Sequence, residues 1–257
     1  GAVKDYYGGR VSISGDAMIV GSVSDDDKGT SSGSAYVYTR LDDGWGSEQK
    51  ILASDGDSGD WFGGYVSIDG DTLVVGSYYD GDNGYASGSA YVFTQHDGVW
   101  TEQQRLIASD GDPNDLLGRP VSISGDTFVA GAIGCADNGK MSGSAYVFVR
   151  TNGEWSQEQK LLASDGAVSD WFGNSVSISG DTLVVGAYFD DDKGDKSGSA
   201  YVYARENGNW TEQQKLVPDD GGAKDQFGYA VAVDGDTLAV GAVEADEAED
   251  NAGAVYV

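Results

Sequence analysis

The sequence is poor in the residue types on which catalytic sites most often depend. Its 257 residues include one histidine, His96, and one cysteine, Cys135. A single cysteine cannot form an internal disulfide, so cysteine content gives no information about the redox compartment. His96 stands alone in the polar segment QHDGVW, which we interpret as a surface turn, and no serine or cysteine lies in a recognisable nucleophile motif. We therefore predict that the protein is not an enzyme and assign no catalytic residue.

Proline, basic residues and long apolar runs are scarce as well. Three prolines stand against 40 glycines, a composition that favours short strands joined by tight turns. No apolar run approaches the length of a transmembrane helix. Fifteen basic residues face 43 acidic ones, which gives a net charge of −28. Such a surface repels nucleic acid and anionic lipid, so we exclude nucleic-acid binding and membrane insertion.

What the sequence has instead is a motif repeated at a fixed interval. DWFG stands at 60–63 and again at 170–173, and related tetrapeptides occupy the equivalent places elsewhere. The final glycines of these motifs are spaced evenly by 55 residues, at Gly8, Gly63, Gly118, Gly173 and Gly228. A period that runs through a whole chain indicates a repeat architecture. It predicts five units, at about 1–55, 56–110, 111–165, 166–220 and 221–257.

Each unit reads as four short strands bounded by Gly, Asp, Asn or Ser. In the fourth unit we place them at Ser175–Ser179, Thr182–Ala187, Ser199–Arg205 and Thr211–Val217. Four antiparallel strands repeated radially form a β-propeller blade, whereas two β-sandwiches would not require a strict period. We predict an all-β, five-bladed β-propeller in a single domain, 1–257. The last blade lacks its outer strand, because the sequence stops in a third strand.

The segment WFGNSVSISGDTLVVGAYFDDDKGDKSGSAYVY at 171–203 resembles an FG-GAP repeat, with Phe172–Gly173 as the FG and VVGAY at 184–188 in place of Gly-Ala-Pro. This is the blade unit of the integrin α-subunit propeller and of many secreted microbial proteins. The resemblance covers all five units. It implies an extracellular or cell-surface location and a role in adhesion or protein binding, with ligand-contacting loops at one end. We read the chain as a mature or trimmed product, without a signal segment.

Two departures from that pattern bear on function. Calcium-binding members carry a nine-residue loop between the first two strands, and here SGDT or a relative of it replaces that loop. The integrin propeller also has seven blades rather than five. The recurring motif itself has a structural interpretation. We expect its aromatic or leucine residue to form inter-blade core, at Tyr7, Phe62, Leu117, Phe172 and Phe227. We expect its aspartates, which recur in every unit, to cap turns.

Acidic connections between the second and third strands are the candidate metal sites. Clustered carboxylates and glycines suit calcium, with an affinity of order 10⁻⁴–10⁻³ M as in extracellular modules. In a blade of antiparallel strands, successive connections alternate between the two ends of the blade. These loops therefore lie at the same end as the blade-to-blade linkers, so that Asp190 can lie near Asp165 and Asp170. The alternative to a metal site is that these carboxylates form an acidic rim in contact with solvent. The predicted ligands are Asp25, Asp26, Asp27, Asp80, Asp82, Asp190, Asp191 and Asp192.

Aromatic residues vary from unit to unit at the same end. They either anchor a ligand or pack over the blade ends. We therefore predict a non-catalytic extracellular binding or structural module whose acidic loop face meets a protein or glycan, and calcium is the candidate cofactor. Three alternatives stay open: a multivalent lectin-like glycan binder, a segment or subunit of a larger surface assembly joined by strand addition at the last blade, and a hydrolase in the acidic face. The candidate ligand-face residues are Tyr78, Tyr79, Tyr85, Tyr188 and Phe189.

Overall fold

A computed structural model describes residues 5–42, 44–245 and 252–257, apart from the side chain of Ser47. The described residues form strands, turns and loops without a helix. The strands of the first two blades are β1 (Tyr7–Ser14), β2 (Ala17–Ser22), β3 (Ser34–Leu41), β4 (Gly44–Ile51), β5 (Tyr65–Asp69), β6 (Thr72–Ser77), β7 (Ser89–His96) and β8 (Val99–Leu106).

The remaining strands follow the same pattern. They are β9 (Val121–Ser124), β10 (Thr127–Ala132), β11 (Ser144–Thr151), β12 (Glu154–Leu161), β13 (Ser175–Ser179), β14 (Thr182–Ala187), β15 (Ser199–Glu206), β16 (Asn209–Leu216), β17 (Phe227–Asp234), β18 (Thr237–Ala242) and β19 (Ala254–Tyr256). Every sheet has its strands in chain order, four in each of the first four blades and three in the last. The prediction of an all-β propeller with five blades, the last of which has three strands in the described part of the chain, is confirmed.

Tight turns account for the regular blade shape. The β13–β14 hairpin closes through two residues, Gly180 and Asp181, and Gly180 has a φ of +55°. The β15–β16 hairpin closes through Asn207 and Gly208, with φ values of +53° and +79°. Two consecutive positive φ angles define a type I′ turn, whose twist matches that of antiparallel strands. These short turns lie at one end of each blade, and the longer loops lie at the other.

Residue contacts group the chain into two compact units. One contains residues 1–128 and 149–156, and the other contains 129–148 and 157–257. In the first unit, Ile19 and Val37 of blade 1 share a buried cluster with Phe62, Val66 and Ile68 of blade 2. In the second unit, the buried side chains of blades 3 and 4 form a corresponding cluster. The prediction of a single domain stays a prediction.

The repeated tetrapeptide has a structural role at the junction between blades. Phe62 is fully buried, and Gly63 has a φ of +83°. A Cβ on Gly63 would stand 2.2 Å from the carbonyl oxygen of Ser34 in the preceding blade. Glycine is therefore required both by the backbone conformation and by the close approach of the neighbouring strand. The expected inter-blade core is confirmed for Phe62 and for Leu117, Phe172 and Phe227.

The first copy of the motif departs from this rule. Tyr7 is 47% exposed, so our prediction that it forms inter-blade core is wrong. Its ring packs on Tyr36, and its hydroxyl lies 2.7 Å from that of Tyr38, both in the same blade. The physical reason is that β1 is the exposed strand of its blade, whereas β5 is covered by blade 1.

Candidate functional site

The loops between the second and third strands meet the linker that enters the following blade. The backbone amide of Gly59 donates to the carbonyl of Thr30, and that of Phe62 donates to Ser32. The side chain of Lys28 reaches the carbonyl of Ser54 at 2.6 Å. The predicted sharing of one end by these two kinds of loop is confirmed. We call this surface the loop end.

An ion-pair cluster lies at the loop end of blade 4. The ammonium group of Lys215 lies 2.7 Å from Asp165, 2.8 Å from Asp190 and 2.5 Å from Asp192. The hydroxyl of Tyr201 lies 2.9 Å from a carboxylate oxygen of Asp190 and 2.8 Å from one of Asp165. Asp190 itself is 3% exposed. Its burial is compatible with a charge because the cation and the hydroxyl both contact it.

Blades 1 and 2 repeat this arrangement. Lys50 lies 2.8 Å from Asp25 and also pairs with Asp27. In blade 2, the guanidinium of Arg105 donates to both carboxylate oxygens of Asp80, at 2.8 and 2.9 Å. Both contacts come from Nη2 of Arg105 and are charge-assisted, which makes them stronger than hydrogen bonds between neutral groups. The same guanidinium extends to two further carboxylates, 3.2 Å from Asp82 and 3.5 Å from Asp55.

Our sequence reasoning missed the basic residue at the centre of each cluster. The four occupy one position in the outer strand of their blades and follow the 55-residue period: Lys50, Arg105, Lys160 and Lys215. That period was the signal that could have found them, because a cation recurring opposite an acidic loop indicates a pair. Since we considered the acidic loops by themselves, we assigned their charge to a metal or to solvent.

The electrostatics of the clusters follow from this pairing. Burial favours a higher pKa for Asp165, but the hydrogen bonds from Lys215 and Tyr201 outweigh it and hold the pKa below the ordinary value. Asp25 shows the same balance: Lys50, Ser34 and Tyr36 overcome burial and lower its pKa. Burial favours a lower pKa for Lys215, but its carboxylate partners raise it instead. Asp25 and Asp165 are therefore ionised, and Lys215 is protonated, at neutral pH.

Blade 3 lacks the buried acid. Cys135, which is buried, takes the place of Asp25, Asp80 and Asp190, and its sulfur lies 3.6 Å from the hydroxyl of Tyr146. Lys160 lies 2.7 Å from Asp137, a more exposed residue two positions further along the loop. The lysine thus persists without the buried carboxylate.

These contacts bear on the predicted calcium ligands. Asp25, Asp80 and Asp190 each have a carboxylate oxygen occupied by an ammonium or guanidinium group. Asp26 accepts the backbone amide of Ser31 at 2.7 Å, and Asp191 remains at the solvent side. Among the described residues no group of three or more acidic, histidine or cysteine side chains has the geometry of a metal site. Calcium binding stays a prediction, and a bound Ca²⁺ would have to replace a basic side chain.

The aspartate of the repeated tetrapeptide caps a turn, as expected. Asp60 accepts the amide of Asp57 at 2.6 Å, and Asp170 accepts that of Ala167 at 2.6 Å. Burial raises the pKa of Asp60 and of Asp170, despite these hydrogen bonds, and neighbouring carboxylates add to the effect. Because turn capping accounts for both residues, the raised pKa values give no separate support to the hydrolase alternative.

A cluster of aromatic rings covers the loop end of blade 2. Trp61 makes edge contacts with Tyr78 and Tyr79, with ring centroids 5.5 and 4.6 Å apart. Tyr78 also contacts Tyr65, and burial raises the pKa of Tyr78 to about 12. Gly64 makes room for this packing, because a Cβ there would lie 2.4 Å from the ring of Tyr78. We call this group the blade 2 aromatic cluster.

The cluster borders a cleft of about 180 Å³ between blades 1 and 2. The guanidinium of Arg10 stacks 4.4 Å from the centroid of the Tyr65 ring and donates to its hydroxyl at 3.1 Å. Tyr6, 70% exposed, also lines the cleft. Four glycines also line the cleft: Gly9, Gly21, Gly63 and Gly64. A rigid apolar wall with a cation and hydroxyl groups at its rim is suited to an uncharged polar ligand.

Blade 4 repeats the aromatic cluster in part. Trp171 contacts Tyr188 and Phe189 at 5.6 and 4.6 Å, and Tyr188 contacts Tyr229 at 5.3 Å. Tyr188 is buried, so it supports its neighbours and presents little surface of its own. Phe189 remains partly accessible, with the ammonium of Lys196 above its ring at 4.9 Å. Among the predicted ligand-face residues, Tyr85 is the most exposed, at 73%, and stands in the loop of blade 2.

A second, larger cavity lies at the opposite end of blades 2 and 3. Its volume is about 630 Å³, and polar side chains dominate its lining, including Asp69, Asp126, Gln103 and His96. Arg150 is held there by Asp126 at 2.5 Å and by the hydroxyl of Thr72 at 3.1 Å. His96 is exposed, as predicted, but it is the last residue of β7 and precedes the turn. The cavity lacks an aromatic wall among the described residues that line it.

The five units match a family model described as the FG-GAP repeat, at residues 1–38, 45–93, 100–148, 155–203 and 210–257. The chain belongs to the FG-GAP repeat family. Each complete match begins in the outer strand of one blade and ends in the third strand of the next. Among curated proteins, no match is found. The FG-GAP propeller is typically a non-enzymatic binding fold and is usually extracellular. None of the described residues forms a helix long and apolar enough to cross a membrane.

Proposed function

We propose that this FG-GAP protein is a non-catalytic extracellular binding module that holds a protein or glycan partner at its loop end. The observation that carries the proposal is the cleft beside the blade 2 aromatic cluster, with Tyr6, Tyr65 and Tyr78 as its walls and Arg10 at its rim. Rings that are already packed lose little conformational entropy on binding, which favours their use as anchors.

In this proposal the cleft binds the partner, and the acidic clusters have a structural role. Their buried carboxylates are already paired with Lys50, Arg105 and Lys215, so we assign them to holding the loops in place. The overall charge of −28 disfavours an acidic partner at long range. The proposed ligand is therefore uncharged or basic where it enters the cleft. An uncharged sugar or an apolar or basic protein side chain satisfies this requirement.

Arg10→Ala tests the proposal most cleanly, because Arg10 is exposed and its loss should leave the fold intact. Tyr78→Phe keeps the ring packing and removes the hydroxyl. Glycan arrays and pull-downs from extracellular material would be compared for wild type, these variants and Trp45→Ala, whose exposed ring lies in an outer strand. We expect binding to weaken by about tenfold in Arg10→Ala and to be unchanged in Trp45→Ala. Equal binding by all four proteins would show that the cleft is not the binding site.

The lectin-like alternative has a specific observation in its favour, since the aromatic cluster recurs in blade 4 around Trp171 and Phe189. Two sites would permit agglutination, whereas one would not. The recurrence in two blades, rather than five, sets the expected valency at two. Titration calorimetry with a soluble monovalent sugar identified on the array would measure that number. A stoichiometry of one would restrict binding to blade 2.

Calcium remains a further component of the proposal, for the loops that carry Asp25, Asp80 and Asp190. Because each of these side chains has a basic partner, metal binding there requires displacement of Lys50, Arg105 or Lys215. Partner binding measured in Ca²⁺ and in a chelator would show whether the ion assists. Identical affinities for the partner in the two buffers would show that partner binding does not depend on calcium.

A further inference from the structure

The cavity at the end of blades 2 and 3 that carries the short turns has no role in the binding proposed at the loop end. Its volume of about 630 Å³ is within the range of small-molecule sites. All the described residues that line it belong to the first compact unit. Because Arg150 lies in its wall, we call it the Arg150 cavity.

In blade 4, the equivalent arginine pairs with a carboxylate from the preceding blade. Arg205 lies 55 residues after Arg150, and its Nη2 lies 2.5 Å from Glu158 in β12. The side chain of Glu158 is 17% exposed, and its second oxygen accepts the indole N–H of Trp210 at 3.1 Å. One carboxylate thus neutralises the arginine and holds the tryptophan.

At the junction of blades 2 and 3, the corresponding residue is neutral. Gln103 of β8 stands where Glu158 stands one repeat later. Its amide oxygen accepts the indole N–H of Trp155 at 3.3 Å, and its amide nitrogen donates to the carbonyl of Gly153 at 2.5 Å. Gln103 therefore holds the tryptophan as Glu158 does, but it supplies no negative charge to Arg150.

Arg150 retains hydrogen-bond donors as a consequence. Its Nε and Nη2 lie 2.6 and 2.5 Å from one oxygen of Asp126, and its Nη1 donates to the hydroxyl of Thr72 at 3.1 Å. Each terminal nitrogen carries two N–H groups and has one contact among the described residues. One N–H on Nη1 and one on Nη2 are therefore left for a ligand. The ring of Trp155, 5.3 Å from the guanidinium carbon, helps to fix the plane of the group.

Other polar side chains at the cavity have no hydrogen-bond partner in the part of the chain that the structure describes. Two are primary amides with donors and an acceptor each, one is an imidazole and one is a carboxylate. They are Gln95, Asn152, His96 and Asp71. No large apolar side chain is among the described residues that line the cavity. The cavity therefore offers donors and acceptors together and suits a polar ligand.

The charge of the lining restricts the ligand further. Asp69, Asp71 and Asp126 set three carboxylates against one guanidinium. This excess, together with the net charge of −28, repels an anion. An apolar or cationic ligand would leave the two N–H groups of Arg150 without an acceptor. A neutral molecule with several hydroxyl groups meets both conditions, because each hydroxyl donates and accepts.

We propose that the Arg150 cavity binds a neutral polyhydroxylated ligand, which is a sugar or a linear polyol. Two neighbouring hydroxyl oxygens would accept the remaining N–H groups of Arg150, since a guanidinium presents its donors as a fork. The hydroxyl groups would in turn donate to the carboxylate of Asp71 and to the amide oxygens of Gln95 and Asn152. The proposal does not depend on the cleft at the loop end, which is lined by other residues.

NMR titration with defined probes tests the proposal. The Nε–H signal of Arg150 and the side-chain amide signals of Gln95 and Asn152 would be followed as glucose, maltose or sorbitol is added. We expect saturable shifts of all three, and the tighter-binding class of probe shows whether the ligand is a cyclic sugar or a linear polyol. Two results would overturn the proposal: no saturable shift with any probe up to its solubility, or tighter binding of glucuronate than of glucose.

Gln103→Glu gives Arg150 the kind of carboxylate that Arg205 already has. The new side chain can accept both the indole N–H of Trp155 and the guanidinium, as Glu158 does in blade 4. We expect the variant to fold and its affinity for the probe to fall by about tenfold or more, because the guanidinium is then occupied. Unchanged affinity in the folded variant would contradict the role of Arg150.

Asn152→Gly removes one amide from the cavity, and glycine accepts the φ of +54° at that position. Affinity for the probe should weaken by about threefold, with the unfolding temperature unchanged. Asn207→Gly is the matched control, because it makes the same change in the equivalent turn of blade 4, where φ is +53°. It should bind as the wild type does, and so should Arg10→Ala at the loop end. Equal weakening by the two glycine variants, or loss of binding in Arg10→Ala, would place the probe elsewhere and overturn the assignment.

Discussion

Blades 3 and 4 have the same strands and the same basic residue at the loop end, but they balance charge differently. In blade 4, three carboxylates surround Lys215, and one of them, Asp190, is buried. In blade 3, Cys135 replaces the buried acid and Lys160 has the ion pair with Asp137. The comparison indicates that the buried acid depends on the cation for neutralisation of its charge, whereas the cation is accommodated without the buried acid.

The largest expected difference is between the two lysines. Lys215→Met leaves Asp190 buried without its counterion and should lower the free energy of unfolding by about 3–5 kcal/mol. Lys160→Met breaks a more exposed pair and should cost about 1 kcal/mol. Urea unfolding followed by tryptophan fluorescence measures both. Equal losses would show that burial of Asp190 does not set the energy of the cluster.

Introducing the missing acid in blade 3 sharpens the comparison. Cys135→Asp should be tolerated at a cost of about 1 kcal/mol, because Lys160 and the hydroxyl of Tyr146 are already in place. In the double variant with Lys160→Met, the new carboxylate lacks a cation, and the loss should exceed the sum of the single losses by about 2 kcal/mol. A double-mutant cycle of unfolding free energies measures this coupling. Additive losses would contradict it.

Removal of the cation should also convert blade 4 into a better metal site. In Lys215→Met, three carboxylates remain without a basic side chain among them, and Ca²⁺ should restore about 1.4 kcal/mol at ten times its dissociation constant. Thermal unfolding with Ca²⁺, Mg²⁺ and NaCl of matched ionic strength measures the effect. Asp165→Asn, Asp190→Asn and Asp192→Asn in the Lys215→Met background are the controls and should abolish it. In wild type, a rise that NaCl reproduces reflects screening of the net charge.

The smallest expected effects are the pH dependences of two carboxylates in blade 4. The pKa of Asp165 lies below its ordinary value of 3.8, so its contribution to stability is present above that value and is lost as pH falls through the folded-state pKa. The pKa of Asp170 is raised, so its contribution is lost as pH rises from 3.8 to the folded-state value.

Asp165→Asn should therefore flatten the loss of stability on acidification, and Asp170→Asn should steepen it. Each change should be under about 1 kcal/mol at neutral pH. Unfolding free energies between pH 3 and pH 7 measure both slopes. A shift of the same sign in the two variants would contradict the assignment of opposite pKa directions.

Most of the blade architecture could be predicted from local sequence. The hairpin at Asn207–Gly208 follows from two residues that accept positive φ, and the strands from alternating apolar residues between turns. For the fourth blade, the predicted strands agree with the structure to within two residues. The exception was Tyr7, whose motif resembles that of Phe62. Its exposure depends on a neighbouring surface, which the motif does not encode.

The site was less predictable, because its contacts join residues distant in the chain. Asp190 and Lys215 are 25 residues apart, and Lys215 and Asp165 are 50 apart. The acidic loops were visible in the sequence, but their partners lie in the outer strands, where a lysine has the appearance of an ordinary surface residue. The aromatic residues were visible too, whereas the burial of Tyr188 and the cleft beside Tyr78 required the packed blades.

The sequence by itself determined the repeat, the strand order within each blade and the glycines at the blade junctions, because turn geometry and side-chain alternation act over a few residues. Tertiary structure alone decided which carboxylates are neutralised by a lysine or arginine and which apolar strands are covered. Those outcomes depend on distance and burial between segments, and the same local motif has different surroundings in blades 1 and 2.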